Sequence, residues 1–194
     1  MQYSNKLDCD DQKARHYLIS GIVSDLPPEA AILDVGCGTG TTYEAIRRLG
    51  VNYHGIDISP QAISIASRTF EGDTSSFEVS DFTALQTTSK YDLILFSEVF
   101  YYFSIEDLGP AIERALSLLK DADSVLLISM SENAKAAKVW EQLESLPKPF
   151  QNIALQSDVV GSKWRVKAYM PLKNTIPNTS RPPRAVPSRR FEHA

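Results

Sequence analysis

Four short stretches place acids, hydroxyls and small residues where a nucleotide-type ligand needs them. Gly36, Gly38 and Gly40 alternate directly after the apolar run Ala31-Ile32-Leu33-Asp34-Val35. Without Cβ atoms the backbone there can take positive φ, and a ligand can lie directly against the main chain. Asp57 follows Gly40 by 17 residues, where an acid can accept two hydrogen bonds from a ribose diol. Asp81-Phe82 couples an acid to an apolar residue, a pair suited to the amino edge and the face of an adenine. Ser97-Glu98 ends a strongly apolar segment with a hydroxyl and a carboxylate.

These groups need elements that bring them to one place. Ile32, Leu33 and Val35 are the near-continuous apolar residues of a strand covered on both faces. The glycine turn opens a helix over 41–49 with Gly50 as its stop, and the free N–H groups of that helix turn toward the ligand. Strands follow over 51–57, 75–79, 91–97 and 124–130. Between them lie helices from Ser59-Pro60, an N-cap with proline at the first helical position, to Phe70, and over 104–120. A helix over 133–146 follows. Two strands, 150–160 and 163–169, are joined by Gly161-Ser162 as an antiparallel hairpin. An N-terminal helix over 8–26 ends at Leu26-Pro27-Pro28. The alternation specifies an α/β fold, a parallel sheet with helices on both faces. Ligands of such sheets bind at the carboxyl ends of the strands, so Asp34, Asp57, Asp81 and Ser97 converge on one edge.

At 194 residues, with 43% hydrophobic and 23% charged residues, the chain has the size and composition of one globular domain. Cys9 and Cys37 make no disulfide framework, and a reducing cytoplasm fits their use. No segment is apolar enough to span a membrane, and Met-Gln-Tyr-Ser-Asn-Lys lacks the apolar core of a signal peptide. The net charge of -4 conceals an asymmetry. From Lys173 onward five cations face only Glu192, a balance of +4, which leaves -8 on the first 172 residues. An acidic body argues against nucleic acid as the main partner. The segment 173–194, with four prolines and few apolar residues, reads as a disordered or surface-draped basic tail.

The motifs Ile32-Leu33-Asp34-Val35-Gly36-Cys37-Gly38-Thr39-Gly40, Gly55-Ile56-Asp57-Ile58-Ser59, Val79-Ser80-Asp81-Phe82 and Tyr91-Asp92-Leu93-Ile94 together resemble a class I S-adenosylmethionine-dependent methyltransferase. The resemblance covers roughly residues 10–171 and makes 1–172 the methyltransferase domain. It implies a Rossmann-like seven-stranded, mostly parallel sheet whose last strand is antiparallel. It implies S-adenosylmethionine as cofactor and S-adenosylhomocysteine as product. By position, Gly36, Gly38 and Gly40 would border the methionine part, and Asp34, Cys37 and Ser97 are further candidate cofactor-binding residues. Asp57 would take the ribose, Ile58 the adenine face, and Asp81 with Phe82 the adenine edge. Dinucleotide oxidoreductases carry G-x-G-x-x-G, whereas this turn reads G-x-G-x-G, which favours the methyl donor. No metal site is expected.

Ser97-Glu98-Val99-Phe100-Tyr101-Tyr102-Phe103 bears on the acceptor. Many small-molecule members of the family carry Glu-His where this chain has Tyr101-Tyr102, so a histidine base is missing there. The paired tyrosines, with Ala14-Arg15-His16-Tyr17, resemble the nodulation protein S group, which N-methylates a lipo-chitooligosaccharide precursor. A methyl bound to sulfonium needs mainly an aligned lone pair and exclusion of water. Glu98, Tyr101 and Tyr102 are accordingly the candidate catalytic residues, and Cys37 is packing at the turn rather than a nucleophile. The N-terminal helix is expected to fold over the site as a lid carrying His16. Little chain remains to cover the site, so a bulky small-molecule or oligosaccharide-like acceptor is expected, with Tyr101, Tyr102 and Trp164 available to stack on its rings. N-methylation of an amine is the first reading. O-methylation and a non-catalytic cofactor-binding module remain the alternatives.

Overall fold

The computed structural model describes residues 10–146, 148–157 and 161–171. The tail read over 173–194 lies outside these residues. Seven strands form one sheet in the order β3-β2-β1-β4-β5-β7-β6. They are β1 (Ala31–Val35), β2 (Asn52–Asp57), β3 (Ser76–Val79), β4 (Leu93–Ser97), β5 (Val125–Ser131), β6 (Gln151–Gln156) and β7 (Lys163–Tyr169). The first five are parallel neighbours. Strand β7 inserts between β5 and β6 and runs antiparallel to both.

Alternation along the strands divides the core between the two faces. Leu33, Val35, Ile94, Phe96, Leu126 and Ile128 pack on one side against Leu108, Ala111, Ile112 and Ala115 of α4 (Ile105–Leu118) and Ala136 and Val139 of α5 (Ala134–Gln142). Ile32, Tyr53, Leu93, Leu95, Val125, Leu127 and Val166 pack on the other. There they meet Ile19 and Val23 of α1 (Asp10–Ser24) and Tyr43 and Ile46 of α2 (Thr41–Ile46), with Phe70 at the end of α3 (Pro60–Thr69). Burying one such side chain is worth about 1.5–3 kcal/mol, so the two faces together hold the sheet between helix layers.

Local signals set most boundaries. Ser59 Oγ accepts from the Ala62 N–H with Pro60 in the first turn of α3. Ser104 caps α4 by accepting from the Asp107 N–H, and Asn133 caps α5 by accepting from Lys135 and Ala136. The helix expected over 41–49 changes to a 3-10 turn at Arg47–Leu49 and stops at Gly50, whose φ is 68°. The strand expected over 91–97 begins at Leu93, because Tyr91 makes only an isolated bridge to Leu119. The strand expected over 150–160 ends at Gln156; Ser157 N–H still donates to Ser162 O, and 158–160 lie outside the described residues.

Candidate active site

The carboxyl ends of β1 and β2 are tied together by the glycine turn. Gly36 and Cys37 N–H both donate to Ile56 O, at 2.8 and 3.0 Å. Gly38 N–H donates to Asp57 Oδ2 at 2.9 Å, and Ser59 N–H donates to Asp57 Oδ1 at 2.8 Å. Asp57 thus orders both the turn and the start of α3 while keeping lone pairs on each oxygen. Two glycines differ in what surrounds them. A Cβ on Gly36 would lie 2.6 Å from Val99 Cγ2, whereas one on Gly38, at φ +56°, would meet nothing within 4 Å. The turn is packed on one side and open on the other, as a surface that receives a ligand must be. Cys37 belongs to the packed side: it is buried, burial pushes its thiol pKa far up, and its Sγ lies where a Cβ on Gly55 would come within 2.8 Å.

Asp34 is fully buried at the end of β1. Tyr53 donates to its Oδ2 at 2.6 Å, while Oδ1 has no hydrogen-bond partner. Burial raises the Asp34 pKa to about 7; the bond from Tyr53, the charge of Arg15 and the Thr42 hydroxyl pull the other way. Asp34 is therefore a carboxyl group held ready for a further cation or donor at this end of the sheet.

The residue that the N-terminal helix brings to the end of β4 is Arg15, with His16 beside it. Arg15 lies one turn before Ile19 and two before Val23, on the stripe that packs against the sheet. Its side chain is 2% exposed and its Nη1 donates to Ser97 Oγ at the end of β4. Gln12 Oε1 accepts from Arg15 Nε at 3.1 Å, and Arg15 Nη2 lies 3.2 Å from His16 Nε2. Burial lowers the Arg15 pKa, opposed by the charges of Glu98 and Asp34. The i, i+4 spacing of Arg15, Ile19 and Val23 was the sequence signal for this residue.

Glu98 follows Ser97 at a φ of 61°, in the left-handed region that costs a non-glycine residue about 1 kcal/mol. Its N–H donates to Ser129 O on β5 at 2.8 Å, and Tyr101 OH donates to its Oε2 at 2.7 Å. Its Oε1 is buried without a hydrogen-bond partner. Burial and the bond to Glu98 push the Tyr101 pKa well up, so the phenol stays protonated and keeps donating. Tyr102 stands 77% exposed, its ring 5.0 Å from that of Tyr101.

At the β2 and β3 ends, Ile58 is 74% exposed and available to cover a flat ring. Asp81 Oδ1 accepts from Thr83 N–H and Thr83 Oγ1, both at 2.8 Å. Phe82 does not present its ring to a ligand. It is buried edge-on against Phe96 at 5.2 Å, with the Arg114 guanidinium 5.7 Å from the ring centre. Trp164, expected to stack at the mouth, is 1% exposed, because β7 lies inside the sheet and not at its rim. Among the described residues no group of three or more His, Cys, Asp or Glu could hold a metal ion.

Fold and site together define an α/β domain built for a nucleotide-type cofactor. Residues 32–122 match the family described as methyltransferase domain. A malonyl-[acyl-carrier protein] O-methyltransferase of Acetivibrio thermocellus is 31% identical over 120 residues, 61% of this chain and 41% of that protein. Nodulation protein S of Bradyrhizobium diazoefficiens is 30% identical over 99 residues, 50% of this chain and 47% of that protein. The chain thus aligns with less than half the length of these curated relatives. The crystal structure of the N-methyltransferase NodS from Bradyrhizobium japonicum WM9 in complex with S-adenosyl-L-homocysteine superposes with a TM-score of 0.72 at 19% identity, covering 84% of this chain and 89% of that one. That likeness extends the shared fold beyond the family match. No helix among the described residues is long and apolar enough to cross a membrane.

Proposed function

We propose that this protein is an S-adenosylmethionine-dependent methyltransferase that methylates an amine nitrogen on a small-molecule or oligosaccharide-like acceptor. The residues fit the cofactor. The open side of Gly38 and the unpartnered Asp34 Oδ1 suit its methionine end, where the ammonium group meets a carboxylate. The buried guanidinium of Arg15 suits its carboxylate, Asp57 its ribose hydroxyls, and Ile58 with Asp81 and the Phe82 main chain its adenine. When bound, the cofactor supplies an electrophilic methyl group on a sulfonium.

The protein's part is to hold the acceptor and exclude water. The observation that carries the amine reading is Glu98 Oε1, a buried carboxylate oxygen with no partner. It can accept a hydrogen bond from an N–H and take up the proton that the nitrogen releases as its lone pair becomes the new N–C bond. Tyr101, bonded to the other oxygen, fixes the carboxylate's orientation. The same charge disfavours a carboxylate acceptor. Hydroxyl acceptors are the second reading, favoured by the likeness to the O-methyltransferase named above.

Methyl transfer from S-adenosylmethionine to a panel of amines and alcohols, with the methylated atom located by mass spectrometry, tests the reading. N-methylated products support it; products methylated on oxygen replace it. Absence of binding to either form of the cofactor in calorimetry at millimolar concentration removes the enzyme altogether.

A further inference from the structure

Two buried polar groups that the cofactor assignment above does not use have no hydrogen-bond partner: Ser129 Oγ and Trp164 Nε1. They belong to one row. Ser97 of β4 and Ser129 of β5 are register partners, and Ser129 pairs with Val166 while Ser131 pairs with Trp164. Val125 and Leu127 precede Ser129 on the α1 face, and Val166 and Ala168 lie on that same face, to which alternation along β7 assigns Trp164 as well. The hydroxyl and the indole are therefore diagonal neighbours, with backbones about 7–8 Å apart and within reach of an aromatic side chain.

The surrounding chemistry narrows what this row can bind. Leaving such groups unpaired in a core is costly, and native proteins rarely do so without a use for them. A valine at 129 would continue the pattern of Val125 and Leu127. The indole N–H can only donate, and the serine hydroxyl can donate as well. Ser129 also accepts the Glu98 N–H through its carbonyl, so the row adjoins the carboxylate assigned above to the acceptor. Two cations of β7 are engaged elsewhere: Arg165 pairs with Glu132, and Lys167 lies over the Trp140 ring on the opposite side. Arg15 is held by Ser97 and assigned to the cofactor.

We propose that Ser129 and Trp164 donate hydrogen bonds to an uncharged oxygen, a hydroxyl or carbonyl, carried by the acceptor beside the atom that is methylated. This rests on the placement of the acceptor at Glu98. The two residues set specificity: they select acceptors that carry such an oxygen over otherwise identical ones that lack it, because an acceptor without it leaves both donors unpaired.

The test compares cyclohexylamine with trans-2-aminocyclohexanol as acceptors for the full chain, for Ser129→Ala and for Trp164→Phe, which keeps the ring and removes the N–H. Wild type should prefer the amino alcohol by at least about five-fold in kcat/KM, and each variant should bring that preference toward unity, chiefly through KM. Affinity for S-adenosylhomocysteine should be unchanged, and the Tm of Ser129→Ala should hold or rise, since an unpaired buried hydroxyl has been removed. A purely structural serine would instead lower Tm and leave the preference intact. Equal preference in all three proteins overturns the proposal while amine methylation stands. Turnover of neither probe by a wild type that binds S-adenosylhomocysteine overturns it together with the amine reading.

Discussion

Arg15 Nη1 donates to Ser97 Oγ across 82 positions of sequence, joining the N-terminal helix to the carboxyl end of β4. The guanidinium is buried between the end of β1 and Glu98, so α1 contributes a charge to the site as well as a cover. Arg15→Ala is expected to weaken S-adenosylhomocysteine binding about ten-fold or more, equivalent to roughly 1.4 kcal/mol, with Arg15→Lys intermediate because a lysine cannot reproduce the planar fork. Calorimetry reads this directly, and full affinity in Arg15→Ala would detach the helix from cofactor binding.

Asp57 serves the turn and the ligand together. Asp57→Ala removes the acceptor for Gly38 and Ser59 N–H and the oxygens available to a ribose, a loss of about 1–3 kcal/mol in cofactor affinity. Asp57→Asn, which can keep one acceptor oxygen, should lose less. Titration of both variants with S-adenosylhomocysteine ranks them, and equal, undiminished affinities would remove Asp57 from the site.

Gly36 and Gly38 should fail in different ways. Gly36→Ala drives a Cβ to within 2.6 Å of Val99 Cγ2, and overpacking of this kind costs about 1–3 kcal/mol of stability. Gly38→Ala meets open space and costs only the strain of its positive φ, about 1 kcal/mol, but places a methyl group on the surface where the cofactor lies. Thermal melts should therefore single out Gly36→Ala, and cofactor titration should single out Gly38→Ala among folded variants.

Stability should respond to pH through two buried groups that act in opposite directions. Asp34 titrates near 7 in the folded chain against an ordinary 3.8. Between these values the folded state holds a proton that the unfolded state has lost, so stability falls as pH rises through that window. His16 is pulled down by burial and by Arg15 beside it, to about 4 from 6.5. There the unfolded state holds the extra proton, and stability rises with pH up to 6.5. Asp34→Asn should thus steepen the rise in Tm toward pH 6.5 and abolish the fall between 6.5 and 7; His16→Gln should do the reverse. Parallel pH profiles for wild type and both variants would contradict these positions.

Glu98→Gln keeps the size of the side chain and an acceptor for the Tyr101 hydroxyl but loses the charge. Turnover should fall about 100-fold or more with cofactor affinity retained, as measured by product formation beside calorimetry. Wild-type turnover in Glu98→Gln would leave the carboxylate with a binding role only.

The apolar runs of β4 and β5, the alternating glycines and the acid ending β2 are local patterns, so the sheet, its connectivity and the Asp57 position were legible in the chain itself. The antiparallel β7 was legible as one arm of a hairpin. Its insertion between β5 and β6 was not, because strand order depends on contacts between distant segments. That is also why Trp164 read as a rim residue. Phe82 was misplaced for a related reason: an apolar side chain next to a ligand-binding acid has the same composition whether it faces the adenine or Phe96. Arg15 was legible in principle, as a charge on the apolar stripe of α1, but its spacing is the same whether the guanidinium reaches solvent or turns inward to Ser97.

Cys37 gives the glycine turn a clock. Its thiol is buried against Gly55 and stays protonated, so a thiol reagent can reach it only when the turn lifts away from β2. In a Cys9→Ser background, the rate at which Cys37 is alkylated therefore measures how often that segment opens, in the manner of hydrogen exchange. A saturating cofactor should slow that rate in proportion to how firmly it holds the turn down.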